Sequence, residues 1–297
     1  MDVRASRLRA LAFYDAIGYP PTGAELAIAS APGSVDPPMR EHRGRITFEG
    51  REALVAEHER REALFPRKIR KARKVARFLA RLSGVRFVAL CNTTALAHAN
   101  DEGDLDFFVV TKRGAIMQTR GWATLRYKLS SERPGERARD PVCLSFFIDD
   151  TALDLTSLQL TDDRNQLDDR LPSTAHDDPY FRFWFLSLLP LYDDGVSSEL
   201  WAANASILRH HPHARPWAMN PALTVDAPVL RWPTPAALDP LAGYFHQFLV
   251  SPTLKRMANQ DTRVVITPHV LKFHAEDGRA RFRDRYHETC SRYGVAP

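Results

Sequence analysis

Val85-Arg86-Phe87-Val88-Ala89-Leu90-Cys91, then Asn92-Thr93-Thr94, then Asp104-Leu105-Asp106-Phe107-Phe108-Val109-Val110: the reading of this run decides the fold. Its first segment is compact, β-branched and aromatic, and predicts a strand. Asn92 to Gly103 is small and polar, and predicts a loop with one short helical turn. Leu105 to Val110 predicts a second strand, Gly114 to Leu129 a helix, Ser130 to Arg139 a charged turn, and Pro141 to Ile148 a third strand.

Successive side chains of a strand point to opposite faces, so Asp104 and Asp106 project to the same side. Two carboxylates a few ångströms apart in a partly dry site repel one another. A bound divalent cation relieves that repulsion. Mg²⁺ (or Mn²⁺) prefers hard oxygen ligands and keeps positions open for phosphates. Asp104 and Asp106 therefore read as metal ligands and catalytic residues. Asn92, Thr93 and Thr94 supply side-chain donors and a tight turn whose backbone N–H groups hold a phosphate. Alone, an Asp-x-Asp is most often a solvated strand end. The order strand, small polar loop, Asp-x-Asp strand, helix, strand favours a metal–triphosphate platform.

Residues 1–60 read as a small helical unit with a hairpin, the outline of a winged helix. Leu8, Leu11, Ala12 and Ile17 form a helical stripe, Thr22 and Glu25 have capping-box spacing, and Arg45–Phe48 reads as a short strand. Residues 51–83 predict one long helix bent near Pro66, its apolar stripe formed by Phe65, Ile69, Ala72, Val75, Leu79 and Leu82. Its other faces, over 67–81, are crowded with Arg and Lys. They fit either a solvated face against an acidic neighbour or a tether for the RNA or DNA backbone. From about residue 160 onward the pattern is mainly helical. The aromatic block Tyr180–Phe185 reads as core, and His274 as a packed histidine. His210, His211 and His213 read as a helix C-terminus rather than a metal cluster.

The 297 residues, 44% hydrophobic and 26% charged, exclude a disordered tail or a fibre. The net charge of +5 points mildly to polyanionic partners. Cys91, Cys143 and Cys290 form no CxxC pair, which argues against a zinc ribbon or a disulfide framework and fits a reducing cytoplasm. The N-terminal residues lack the pattern of a signal peptide, and Tyr180–Tyr192 is too short to span a bilayer, so no membrane role is expected. No P-loop, GxGxxG or Ser-His-Asp arrangement is present.

Val85 to Thr111 resembles the DNA polymerase β-like nucleotidyltransferase superfamily, whose mark is a Gly-Ser turn followed by Asp-x-Asp. More narrowly, the segments CNTTALAHANDEGDLDFFVVTK, PVCLSFFID, DDPYFRFWFLSLLPLYDD and AANASILRHHP look like a bacterial family of nucleotidyltransferase-like proteins. The resemblance implies transfer of a nucleoside monophosphate from an NTP, with two metals held by three carboxylates. Asp104 and Asp106 match the first two. Asn92-Thr93 or Thr93-Thr94 stands where the Gly-Ser turn belongs. Ser145 stands near the third carboxylate's place, with Asp140, Asp149 and Asp150 as stand-ins. Lys112 and Arg120 follow the pair as cations for a phosphate, and Ser145 joins the nucleotide-binding set.

The expected architecture is α+β: a winged-helix-like segment (1–60), a basic connector helix (61–83), a small mixed-sheet nucleotidyltransferase core (84–160) and a helical C-terminal region (161–297). The expected activity is NMP transfer from an NTP. The alternative is a catalytically degenerate nucleotidyltransferase fold acting as a nucleotide- or nucleic-acid-binding regulator.

Overall fold

The computed structural model describes residues 2–136, 139–160, 178–209, 211 and 213–297. Asp2 accepts from Arg4 N and opens helix α1 (Val3–Ala16). The Thr22–Glu25 capping box opens α2 (Gly23–Ala29): Glu25 N donates to the Thr22 hydroxyl, and Thr22 N donates back to the Glu25 carboxylate at 2.7 Å. An antiparallel hairpin follows, β1 (Met39–His42) and β2 (Arg45–Phe48). Leu8, Leu11, Leu26, Met39, Ile46 and Phe48 bury together, and Phe183 and Tyr286 from the C-terminal half close that core.

The single helix expected over 51–83 is two, α3 (Ala53–Glu62) and α4 (Phe65–Leu79). Pro66 does not bend a continuous helix. It sits in the first turn of α4, where a missing N–H leaves no intrahelical bond unmade.

One sheet carries β3 (Val85–Leu90), β4 (Leu105–Thr111), β5 (Val142–Asp149), β6 (Leu189–Asp193), β7 (Val264–Ile266) and β8 (Val270–Phe273), in the order β6-β3-β4-β5-β8-β7. The β4–β5 pair, joined through α6 (Ile116–Leu129), is parallel and its neighbours are antiparallel, so the sheet is mixed. A short helix, α5 (Asn92–Ala95), lies between β3 and β4.

Alternation along β4 separates two apolar layers. Leu105, Phe107 and Val109 pack with α4 and α6. Phe108 and Val110 pack with α7 (Pro179–Leu186), α8 (Ser197–Ala203) and α9 (Ala205–Leu208). Helices α10 (Asp239–Leu249), α11 (Pro252–Met257) and α12 (Arg279–Arg292) complete the described chain.

The C-terminal region is thus not only helical: β6, β7 and β8 belong to the same sheet as the Asp-x-Asp strand. These strands span only a few residues each, too short for alternation to stand out against the aromatic runs around them. The part of the expected helical region over 161–177 lies outside the described residues. No helix among the described residues is long and apolar enough to cross a membrane.

Candidate functional site

At the end of β3 the chain turns sharply. Asn92 takes a left-handed φ of 57°, a conformation Asn tolerates better than other side chains with a Cβ. The turn folds back onto the strand that carries the acids. The buried Thr94 hydroxyl donates to the Asp104 carbonyl at 2.9 Å, and His98 N donates to the Thr93 carbonyl at 2.8 Å. The Thr93 side chain stays exposed.

Asp104 immediately precedes β4, and Asp106 is its second residue. Burial pushes the Asp106 carboxyl above the usual carboxylate range, against the opposing pull of hydrogen bonds from the Asn92 amide and the Cys143 thiol. Asp104 is raised too, by burial and then by the Asp106 charge, with Lys68 nearby pulling the other way. Neither acid has an ion-pair partner among the described residues. Two partly dry carboxylates without a counter-cation are the condition that a divalent ion relieves.

The third position falls on β5. Asp106 lies opposite Cys143, and a bulge then sets Leu144 and Ser145 against Phe107. Ser145 is turned toward β8, where its hydroxyl lies 3.0 Å from His274 Nε2. Polar interactions therefore run from Asp106 on β4 through Cys143 and Ser145 on β5 to His274, the residue after β8. Burial pushes His274 down to about 3, so the imidazole at their end is neutral.

The stand-in carboxylates are all engaged elsewhere. Asp140 is buried between Arg67 (2.8 Å) and Lys68 (2.7 Å), which hold its carboxyl below the usual range. Asp149, at the far end of β5, bonds His269 and Thr151. Asp150 bonds Arg86 and the Arg113 backbone. The hard oxygens of Asp104 and Asp106 suit one divalent ion. They stop short of a larger ligand set: no group of three or more His, Cys, Asp or Glu among the described residues could hold a metal.

Lys112 follows the other end of β4, roughly 20 Å from Asp106 at the rise of a strand. Arg120 is buried on α6, its guanidinium bonded to His246 and 4.1 Å above the Phe273 ring; burial lowers it to about 9. Neither cation joins the pair. His211 is buried, with Nδ1 at the Ala29 carbonyl, whereas His210 lies outside the described residues.

Sequence reasoning took Tyr180 as core. Its hydroxyl donates to Asn92 Oδ1 at 3.1 Å, which joins α7 to the acid-bearing loop. Two clefts open at this junction and share Asn92, Tyr180, Trp184 and Phe282: one of about 460 Å³ toward α1, the other of about 290 Å³ toward β8 and α12. Lys272 lines the smaller cleft, pushed down to about 7 by burial and by Arg279. A lysine inside Val270-Leu271-Lys272-Phe273 was the visible signal for it.

The basic helix divides in two. Arg67, Lys68 and Lys71 are tied to Asp140, Asp101 and Glu132. Arg70, Lys74, Arg77 and Arg81 are exposed and have no ion-pair partner among the described residues. Most of these cations line a groove of about 640 Å³ between α4 and α6, with Phe78 and Tyr127.

Comparisons with protein-family models, with curated proteins and with solved structures return no match.

Proposed function

We propose that this chain is a metal-dependent nucleotidyltransferase of the DNA polymerase β-like kind, moving a nucleoside monophosphate from an NTP to an acceptor hydroxyl. The observation that carries the reading is the Asp104–Asp106 pair: two acids on one side of a strand start, raised together and lacking a counter-cation, beside a left-handed Asn turn. In this reading β3, β4 and β5 with α5 and α6 are the nucleotidyltransferase core, and α1 to β2 the winged-helix-like segment. Free Cys91, Cys143 and Cys290 fit a cytoplasmic setting.

Asp104 and Asp106 would hold Mg²⁺ (or Mn²⁺). When bound, the ion neutralises charge on the transferring phosphate. The chain's own residues do the positioning. Asn92 orients Asp106 through its amide, Thr94 fixes the backbone of Asp104, and the exposed Thr93 hydroxyl would be free to meet a phosphate. Ser145 and Cys143 provide no charge at the third position, which predicts weaker electrostatic stabilisation than three carboxylates would give.

The test is transfer of α-³²P label from each NTP with Mg²⁺ or Mn²⁺, with pyrophosphate measured in parallel. Asp104→Asn combined with Asp106→Asn should abolish both signals. Undiminished turnover in that double variant ends the proposal.

A second reading keeps the fold without transfer, as a nucleotide- or nucleic-acid-binding regulator. The exposed cations Arg70, Lys74 and Arg77 favour it: the spacing i, i+4, i+7 puts them on one face of α4, over roughly 10 Å of rise, with Arg81 in the turn that follows. Salt-sensitive binding of RNA or DNA with no NMP transfer is its signature.

A further inference from the structure

We propose that the 460 Å³ cleft beside Asn92 is the acceptor site, and that the acceptor is a small, uncharged, largely apolar ring compound bearing a hydroxyl. Its role as acceptor rests on the transferase reading; its binding does not.

The volume lies within the range of small-molecule sites and is shaped by aromatic walls. Phe13 and Phe183 stack at 3.7 Å between centroids, Tyr180 and Phe282 at 5.0 Å, and Trp217 is held by its indole N–H donating to the Phe185 carbonyl at 2.9 Å. These contacts fix the walls before any ligand arrives, so little ordering cost falls on binding.

The polar groups are unevenly placed and mostly occupied. The Glu25 carboxylate is taken by Tyr19, Thr22 and Arg45. Arg215 is an exposed cation on the lining, too little charge for a polyphosphate or a nucleic-acid strand. Asn92 and Thr93 mark the edge shared with the acid-bearing loop. A ligand with an apolar body and one hydroxyl satisfies this arrangement: rings against the aromatic walls, hydroxyl at the Thr93 edge.

The wall is also coupled to the acids. Tyr180 donates to Asn92, and Asn92 donates to Asp106, so a ligand against Tyr180 lies two hydrogen bonds from the carboxylate pair. In the transfer step, the acceptor oxygen bonds to the α-phosphorus of the NTP and the bond from that phosphorus to the β-bridging oxygen breaks. Pyrophosphate leaves with the electron pair, and the hydroxyl proton passes to solvent.

The probe is 2-naphthol, two fused rings and one hydroxyl. The full chain is labelled with 5-fluorotryptophan and followed by ¹⁹F NMR, with the resonances assigned by Trp→Phe variants. Saturable one-to-one binding should move the signals of Trp184 and Trp217, which line the cleft, and leave those of the exposed Trp122 and Trp232 in place. Ala218→Phe, which fills the cleft, should remove the response while far-UV circular dichroism and Tm are retained. Ile28→Phe serves if Ala218→Phe does not fold.

Saturating ATP with Mg²⁺ should leave naphthol affinity within about twofold, as two ligands in adjacent sites require, and labelled AMP should appear on naphthol. Unmoved Trp184 and Trp217 signals, or a response that survives filling, overturn the site. Displacement by ATP makes the cleft the nucleotide's own and overturns the acceptor role. Naphthol binding without ATP binding or transfer overturns that role and the transferase reading, and leaves only a ligand site.

Discussion

Asn92 donates its side-chain amide to the Asp106 carboxylate from a backbone held at φ 57°. One residue therefore serves both the turn and the acid, and two substitutions separate the roles. Asn92→Ala places a side chain unsuited to this conformation in the turn, at a cost of about 1–2 kcal/mol. Asn92→Gly removes that strain. Both lose the donor to Asp106, so both should weaken the thermal response to Mn²⁺. Both also leave the Tyr180 hydroxyl without its acceptor, so urea denaturation should find both variants destabilised and the Ala variant more so. Equal stability of the two would mean that the left-handed turn imposes no demand on residue 92.

Asp104 and Asp106 have carboxyls raised in the folded state above their unfolded values. The folded chain then binds more protons than the unfolded chain over the intervening pH range. The stability these acids contribute is fully present below the unfolded pKa and is lost as pH rises through the folded one. Asp106→Asn should therefore raise the metal-free Tm at pH 8, by about 2–4 °C for each kcal/mol recovered, and change it little near pH 3. Mg²⁺ or Mn²⁺ should raise the wild-type Tm at pH 8 and lose that effect in the variant. A variant less stable than wild type at pH 8 without metal would contradict the burial penalty that raises the Asp106 carboxyl.

Asp140 behaves oppositely. Arg67 and Lys68 hold its carboxyl down, so its contribution is present above the unfolded pKa and fades as pH falls through the folded one. Lys68 also donates to the Gly103 carbonyl at 2.7 Å, directly before Asp104. Asp140→Ala leaves a buried lysine unpaired and should cost about 3–5 kcal/mol at pH 7, measured by chemical denaturation. A loss under 1 kcal/mol would show that Lys68 finds another partner.

The legible parts of this chain were local. Strands β3, β4 and β5 were readable because compact β-branched and aromatic runs are bounded by turn residues, and the Thr22 capping box because its spacing is fixed by the helix itself. Asn92 to Thr94 was readable as a tight turn from its small polar residues, but which of them takes the left-handed φ was not. The parts that sequence missed depend on distant pairing. Nothing near Asp140 announces that Arg67 and Lys68, more than seventy residues earlier, will neutralise it. The β5 bulge that sends Ser145 to His274 appears only once β4 and β8 flank it. Tyr180 looked like core because its ring packs against the core while it lines the clefts, and its hydroxyl reaches Asn92.

The exposed cations of α4 give the last test. Arg70, Lys74 and Arg77 share the exposed side of α4, Arg81 lies in the turn after it, and the half-buried Phe78 lines the groove beside them, where it would offer a ring to a base. Each phosphate contact on a single strand contributes about 0.7 to the slope of log K against log salt. Fluorescence anisotropy with a labelled 15-nucleotide RNA, from 50 to 200 mM salt, should therefore show Lys74→Gln reducing the slope by about 0.7 with little dependence on RNA sequence. Lys71→Gln provides the contrast: its amine is already held by Glu132 at 2.9 Å, so fewer counterions are displaced there. If both substitutions change the slope equally, the ion pairs do not set which cations meet phosphate. If neither changes it, α4 is a solvated face, and its charge serves only to hold Asp140, Asp101 and Glu132.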